Sequence, residues 1–258
     1  MSGVGPSADA AADPLREYLL RLGDTSLILA QRLCEWVGHA PEIEEDIGLA
    51  NLGLDLLGQA RLFYGYVAER SGETEDALAF QRSDREFRNV LLAEQPNGDF
   101  AVTIVRQFLL SQWQLLLCEV LQASTDSRLR EIAALAAREL RYHVRYSATW
   151  LVRLGDGTAE SHGRAQRALD ELWRFTGELF EDDAIEHALA ATGAVPLNAA
   201  LRARWASAVS AVLREATLSM PAGFDARLGG RRGVHTEHLG YLLAEMQSVA
   251  RAHPGAVW

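Results

Sequence analysis

The sequence predicts an all-α protein built as a helical bundle. Three observations carry this. Apolar residues recur at three- and four-residue steps over long stretches free of proline, several of these stretches reach 20 residues or more, and no segment alternates apolar and polar residues with the period of two that marks a half-buried strand. Proline removes a backbone donor and clashes with the preceding turn, so the seven prolines mark where helices stop.

The first helix is expected over 15–36, where Leu15, Leu19, Leu22, Ile28, Leu29, Leu33 and Trp36 hold helical spacing. Pro41 separates it from a second, over 43–68, whose residues Ile43, Ile47, Ala50, Leu54, Leu57 and Leu62 form one stripe expected to be buried. An arginine-rich piece over 81–92 leads to the turn Gln95-Pro96-Asn97-Gly98. Asp99 is a suitable N-cap for a very apolar helix over 100–122, and Asp126 or Ser127 for another reaching about 154, since a short side-chain oxygen can accept from the unpaired N–H groups of a first turn. After Gly155-Asp156-Gly157, helices are expected over 159–180, over a short acidic stretch, over 197–219 and, beyond the loop Gly229-Gly230-Arg231-Arg232-Gly233, over 236–252. Residues 1–13 are small and polar and are expected to be a flexible tail; 14–258 is expected to be one helical domain.

With 258 residues, 48% of them hydrophobic, there is ample material for a core. The 25 basic residues, all arginine, stand against 35 acidic ones; the net charge of −10 argues against nucleic acid as a partner. Without lysine there is no Schiff-base or Walker-type chemistry. Cys34 and Cys118 are too few for a disulfide framework or a zinc cluster. No secretory leader is expected at the N-terminus and no run of about 18 apolar residues crosses a bilayer, so the expected location is the cytoplasm.

A large bundle raises the possibility of a di-iron centre, which takes a glutamate from each of two helices and a Glu-x-x-His pair from each of the other two. The residues three before the seven histidines are Trp36, Leu140, Ala159, Ala184, Arg232, His235 and Ala250, none of them an acid. The pairs Glu35/His39, Glu139/His143 and Asp183/His187 are four apart and read as helical hydrogen bonds. In His235-Thr236-Glu237-His238, Thr236 and Glu237 suit a helix start better than the histidines suit zinc. Arg82, Arg85 and Arg88 form a positive stripe that could meet phosphate, although pairing with Asp84 and Glu86 on a solvated face accounts for it; the Arg231-Arg232 loop is similar. Asp24, Gln31, Asn51, Asp55 and Gln59 lie among apolar residues and are expected to form a buried network, with Asp55 and Gln59 one turn apart.

Six stretches in this order and spacing resemble the C-subunit (PaaC) family of the bacterial 1,2-phenylacetyl-CoA epoxidases, multicomponent oxygenases of phenylacetate degradation. They are Arg21-Leu-Gly-Asp24, the run from Leu49 to Arg61, Glu94-Gln-Pro-Asn-Gly98, Arg141-Tyr-His143, Leu172-Trp-Arg-Phe-Thr176 and Gly233-Val-His-Thr-Glu-His-Leu-Gly240. The resemblance implies a ferritin-like bundle with additional C-terminal helices and a non-catalytic structural subunit, with no metal or cofactor of its own. Its implied partners are an A subunit that holds the di-iron centre and a reductase component. It further implies acyl-CoA contacts near Glu86, Phe87, Arg88 and Asn89, and near His187, Ala188 and Leu189.

Two other readings stand beside this one. A di-metal oxygenase active in its own right would draw on Asp24, Asp55, Glu139 and His143, and a helical adaptor unrelated to oxygenation would equally lack a catalytic motif.

Overall fold

The computed structural model describes residues 13–223 and 225–256. The tail expected over 1–13 lies outside the described residues except for Asp13, which caps the first helix. Asp13 accepts from the Leu15 N–H, and Pro14 occupies the first turn, where its missing N–H costs nothing. Helix α1 (Pro14–Cys34) and α2 (Ile43–Ser71) run antiparallel, joined by the turn around Pro41. Their axes approach closely because Gly23 lies under the Tyr64 ring and Gly53 under Cys34 Sγ; a Cβ on Gly23 would fall 2.7 Å from Tyr64 Cε1. The second long pair is α5 (Phe100–Leu121) and α6 (Ser127–Gly155), capped by Asp99 and Asp126 as expected.

These four helices enclose the core. The α2–α6 seam is antiparallel, with Gly48 under the Tyr146 ring, Asp55 beside His143, Gln59 beside Glu139 and Tyr66 donating to Asp126. Shorter elements cover the other sides. Helices α3 (Glu75–Phe80) and α4 (Leu91–Glu94) precede α5, and α4 packs on α1. Beyond α6, α7 (Ala159–Leu172) lies on α5 and α6, α8 (Ala184–Ala191) on α1, and α9 (Arg202–Glu215) on α5 and α6. The chain ends in α10 (Glu237–Met246) and α11 (Ser248–Ala252). Trp205 of α9 donates to the Leu109 carbonyl and packs against Trp173 and Phe180, fixing the C-terminal layer to the bundle. By length and composition, α5 alone among the described residues could cross a membrane, yet 83% of its apolar window is buried in this core.

Several expectations are corrected. In the stripe expected to be buried on α2, Ile43, Ile47, Leu54 and Leu57 face outward; the core side is Leu49, Leu52, Leu56, Ala60, Phe63 and Val67. The period was legible but the face was not, because α2 is apolar on two opposite sides. The helix expected over 159–180 gives way at Trp173 to a 3-10 segment, Trp173–Phe180, whose three-residue turn aligns Trp173, Thr176 and Leu179 toward the core. The region 81–92 holds only a 3-10 turn, Asp84–Glu86, and the start of α4. The last helix breaks at Gln247, whose side chain donates to the carbonyls of Ala79 and Arg82.

Candidate functional site

The centre of the bundle is where a metal pair would lie in a fold of this shape. A void of about 20 Å³ there is lined by Thr25, Ser26, Gln59, Phe63, Gln114, Cys118 and Leu140, among others. Burial pushes the Cys118 thiol up to about 12, so it stays protonated. The polar atoms of this lining are neutral amides, hydroxyls, one indole N–H and one thiol. A di-iron centre needs several carboxylates and imidazoles, and this donor set does not fit one. Among the described residues no group of three or more histidines, cysteines or acids is arranged to hold a metal ion.

Asp55, Gln59, Glu139 and His143 come together one layer outward, at the α2–α6 seam. His143 is fully buried, with Nε2 3.1 Å from Asp55 Oδ2 and no partner for Nδ1. Gln59 donates to Glu139 at 2.9 Å rather than to its helical neighbour Asp55. Burial holds the Glu139 carboxyl above its usual range, with Gln59 opposing that shift and Asp55 adding to it. The fourth residue of the alternative metal set, Asp24, is engaged elsewhere, and Asn51 is exposed rather than part of a buried network.

A belt of buried ion pairs surrounds α1. Asp24, fully buried, takes both terminal nitrogens of Arg82, the Tyr64 hydroxyl and the Arg88 N–H. One turn earlier, Arg21 binds Asp183 and Glu186 of the α8 region. Glu94 accepts from Asn89, the Thr236 N–H and the Thr236 hydroxyl, and lies 2.7 Å from His235 Nδ1. Glu178 accepts from the N–H groups of Leu91, Gly229 and Arg231. Burial raises its carboxyl pKa, and those three donors hold part of that rise back.

This belt revises the arginine stripe. Arg82 is buried over the Phe87 ring, 4.4 Å from its centroid, and Arg88 pairs with Glu17, so their carboxylates come from α1 and not from Asp84 or Glu86. Thr236 sits at the start of α10, but its hydroxyl serves Glu94 instead of capping the helix. Arg231 is buried against Glu186 and the Glu181 carbonyl. Sequence reasoning missed Glu94 and Glu178. Glu94 is a lone acid at the end of the apolar run 90–93, the signal that points to it, whereas Glu178, three residues before Glu181, Asp182 and Asp183, carries no such signal.

The residues implied for acyl-CoA contact fall in two places. Phe87 and Asn89 are fully buried, Asn89 donating to Glu94 and to the Val90 carbonyl. Glu86 is exposed and closes a capping box with Ser83, while Arg88 is partly exposed. On α8, Leu189 is in the core, Ala188 and His187 are exposed, and His187 Nδ1 meets the Asp183 carbonyl. Both places flank α1, one through Asp24 and the other through Arg21, a turn apart.

The outer surface of the α2–α6 pair is the remaining candidate. Ile43, Ile47 and Leu54 on α2 are 71%, 55% and 61% exposed, and Leu135 and Tyr142 on α6 are 49% and 41% exposed. Beside them a groove of about 540 Å³ runs along Gly58, Leu62, Gly65 and Ala68, rimmed by the ion pairs Arg61–Glu75 and Arg128–Glu69.

A family model described as phenylacetic acid catabolic protein matches residues 4–258. The C-subunit of the 1,2-phenylacetyl-CoA epoxidase of Escherichia coli (strain K12) is 53% identical over 245 residues, covering 95% of this chain and 99% of that relative.

Proposed function

Because the chain belongs to the phenylacetic acid catabolic protein family, we propose that it is a non-catalytic structural subunit of a cytoplasmic phenylacetyl-CoA 1,2-epoxidase, pairing with a di-iron catalytic chain. The observation that carries this reading is the centre of the bundle. Where a di-iron relative would place carboxylates and histidines, this chain places Thr25, Ser26, Gln59, Gln114 and Cys118 around a void too small for a substrate. The acids that the chain does bury in the belt around α1 face arginines, backbone donors or a histidine.

A subunit without chemistry contributes by binding the folded form of its partner, which stabilises that form by mass action, and by fixing the helices that bear the partner's ligands. On the same reading an acyl-CoA held at the boundary between the two chains touches this one through its outward groups, Glu86, Arg88, His187 and Ala188. Phe87, Asn89 and Leu189 support those groups from beneath. Arg88 is the best suited of them to a phosphate, because its Nη2 makes no hydrogen bond among the described residues.

The test is metal analysis by mass spectrometry on the chain purified alone and co-expressed with the catalytic chain. The expected result is a metal-free isolated chain and iron in the complex. About two irons per isolated copy would overturn the proposal and make this chain an oxygen-activating subunit.

A further inference from the structure

We propose that the cavity at the centre of the bundle is a binding site for a single water molecule, hydrogen-bonded between helices α1, α2 and α5. Nothing in this depends on the chain being a subunit. The lining draws on all four long helices, with Ser26 from α1, Gln59 from α2, Trp113 and Gln114 from α5, and Leu140 from α6.

Size sets the number of molecules. A polar cavity takes up a water once its volume exceeds roughly 10–15 Å³. At about 20 Å³ this one has room for one molecule and not for two.

The polar groups set its chemistry, because cavities that stay dry are apolar. The Trp113 indole N–H and the Gln114 carbonyl oxygen are both buried, and neither has a hydrogen-bond partner among the described residues. The Ser26 hydroxyl, the Gln114 NH2 and the Gln59 carbonyl oxygen also make no hydrogen bond among those residues, since Gln59 uses only its NH2, on Glu139. Thr25 needs nothing further, because its hydroxyl already sits between the Arg21 carbonyl and the Val90 N–H. The five unbonded groups are of both kinds. Trp113 Nε1 and Gln114 Nε2 donate, Gln59 Oε1 and Gln114 Oε1 accept, and the Ser26 hydroxyl does either. Water, which both donates and accepts, answers them together, and a buried water makes about three such bonds.

Other small occupants leave more unmet. A cation needs carboxylates, imidazoles or several oxygens in a cage, and the lining carries no carboxylate and no imidazole. An anion would face the two amide oxygens, and an apolar gas would leave all five groups without partners. The water joins Ser26 of α1 to Gln59 of α2, and the 2.9 Å bond from Gln59 to Glu139 carries the connection on to α6. One hydrogen-bonded path thus crosses the bundle from its centre to the α2–α6 seam.

The experiment is a crystal structure of the full-length chain at a resolution that shows ordered water, paired with oxygen-17 magnetic relaxation dispersion, which counts long-lived waters in solution. The expected result is one water within about 3.2 Å of at least three of the five groups. Gln114→Met keeps the length of the side chain and removes both its polar ends, and it should hold one long-lived water fewer than wild type. The control Gln81→Met, at an exposed position, should keep the wild-type count. A dry cavity in the wild-type crystal, or Gln114 turned to bond Ser26 or Trp113 directly with no water between, overturns the proposal. If Gln114→Met does not fold, the wild-type crystal decides alone; if it folds with the count unchanged, Gln114 is not a partner of the water and the site as described is overturned. An anomalous signal from a metal ion in the cavity overturns the proposed ligand and, separately, the reading of the chain as a metal-free subunit.

Discussion

His235 lies between two acceptors, with Nδ1 2.7 Å from Glu94 Oε2 and Nε2 3.0 Å from the Phe87 carbonyl. A neutral imidazole carries one N–H and can donate to only one of them, so this geometry is that of the imidazolium. Burial by itself would lower the pKa of His235, but the hydrogen bond and charge of Glu94 outweigh it and hold the pKa above its ordinary value. The pair ties the loop before α10 to the end of α4.

Stability should therefore depend on pH through His235. A histidine whose pKa is higher in the folded state contributes stability that is complete below its unfolded pKa of about 6.5 and lost as pH rises through the folded value. The unfolding free energy from urea titrations should fall as pH is raised from about 6 through that window, by about 1.4 kcal/mol per unit of pKa difference between the two states. The slope should vanish in His235→Gln. A wild-type slope retained in that variant would place the titration elsewhere.

Replacing Asp24 should be among the most damaging single changes. Arg82 is nearly buried and Asp24 wholly so, and removing one partner leaves the other charge in the interior without compensation. Such losses run to about 3–5 kcal/mol. Asp24→Asn keeps a hydrogen-bonding side chain yet loses the charge, so it should still lower stability by more than about 2 kcal/mol, on the order expected for a buried ion left unpaired, in a urea titration.

Much of the fold was legible because it depends on local pattern. The α1 stripe, the Asp99 and Asp126 caps and the Gly155 break follow from residues within a turn of one another. The buried belt was not legible, because its partners are remote: Asp24 meets Arg82 across 58 positions and His235 meets Glu94 across 141. The periodicity of α2 was equally blind to direction, since only the packing of α1 against Gly53 decides which of its two apolar sides turns inward. At the candidate site, the partner of Gln59 lay on another helix, out of reach of spacing arguments.

The loop over 229–233 should be intolerant of side chains. A Cβ on Gly230 would fall 2.2 Å from the Asn89 carbonyl oxygen, and on Gly233, whose φ is +74°, 2.2 Å from that of Arg85. These obstacles are backbone and cannot rotate away. Gly230→Ala should cost about 1–3 kcal/mol and Gly233→Ala at least as much, because strain adds to the clash. Thermal melts of the two variants against Gly240→Ala, where a Cβ meets nothing within 4 Å, provide the comparison.

Glu178 should prove to be the residue that holds this loop in place. Its two oxygens take three backbone N–H groups from two segments more than 130 positions apart, Leu91 on one side and Gly229 and Arg231 on the other. Glu178→Ala would leave those buried donors without acceptors, and each unsatisfied donor costs about 1–3 kcal/mol. Glu178→Gln keeps one oxygen but brings an amide into a cluster of donors, so rescue should be partial at best. Local opening distinguishes this from general destabilisation: in the Gln variant, hydrogen exchange should speed up over 87–94 and 229–236 while α5 stays protected. Uniform acceleration that includes α5 would show that the carboxylate supports the whole bundle and not this junction alone.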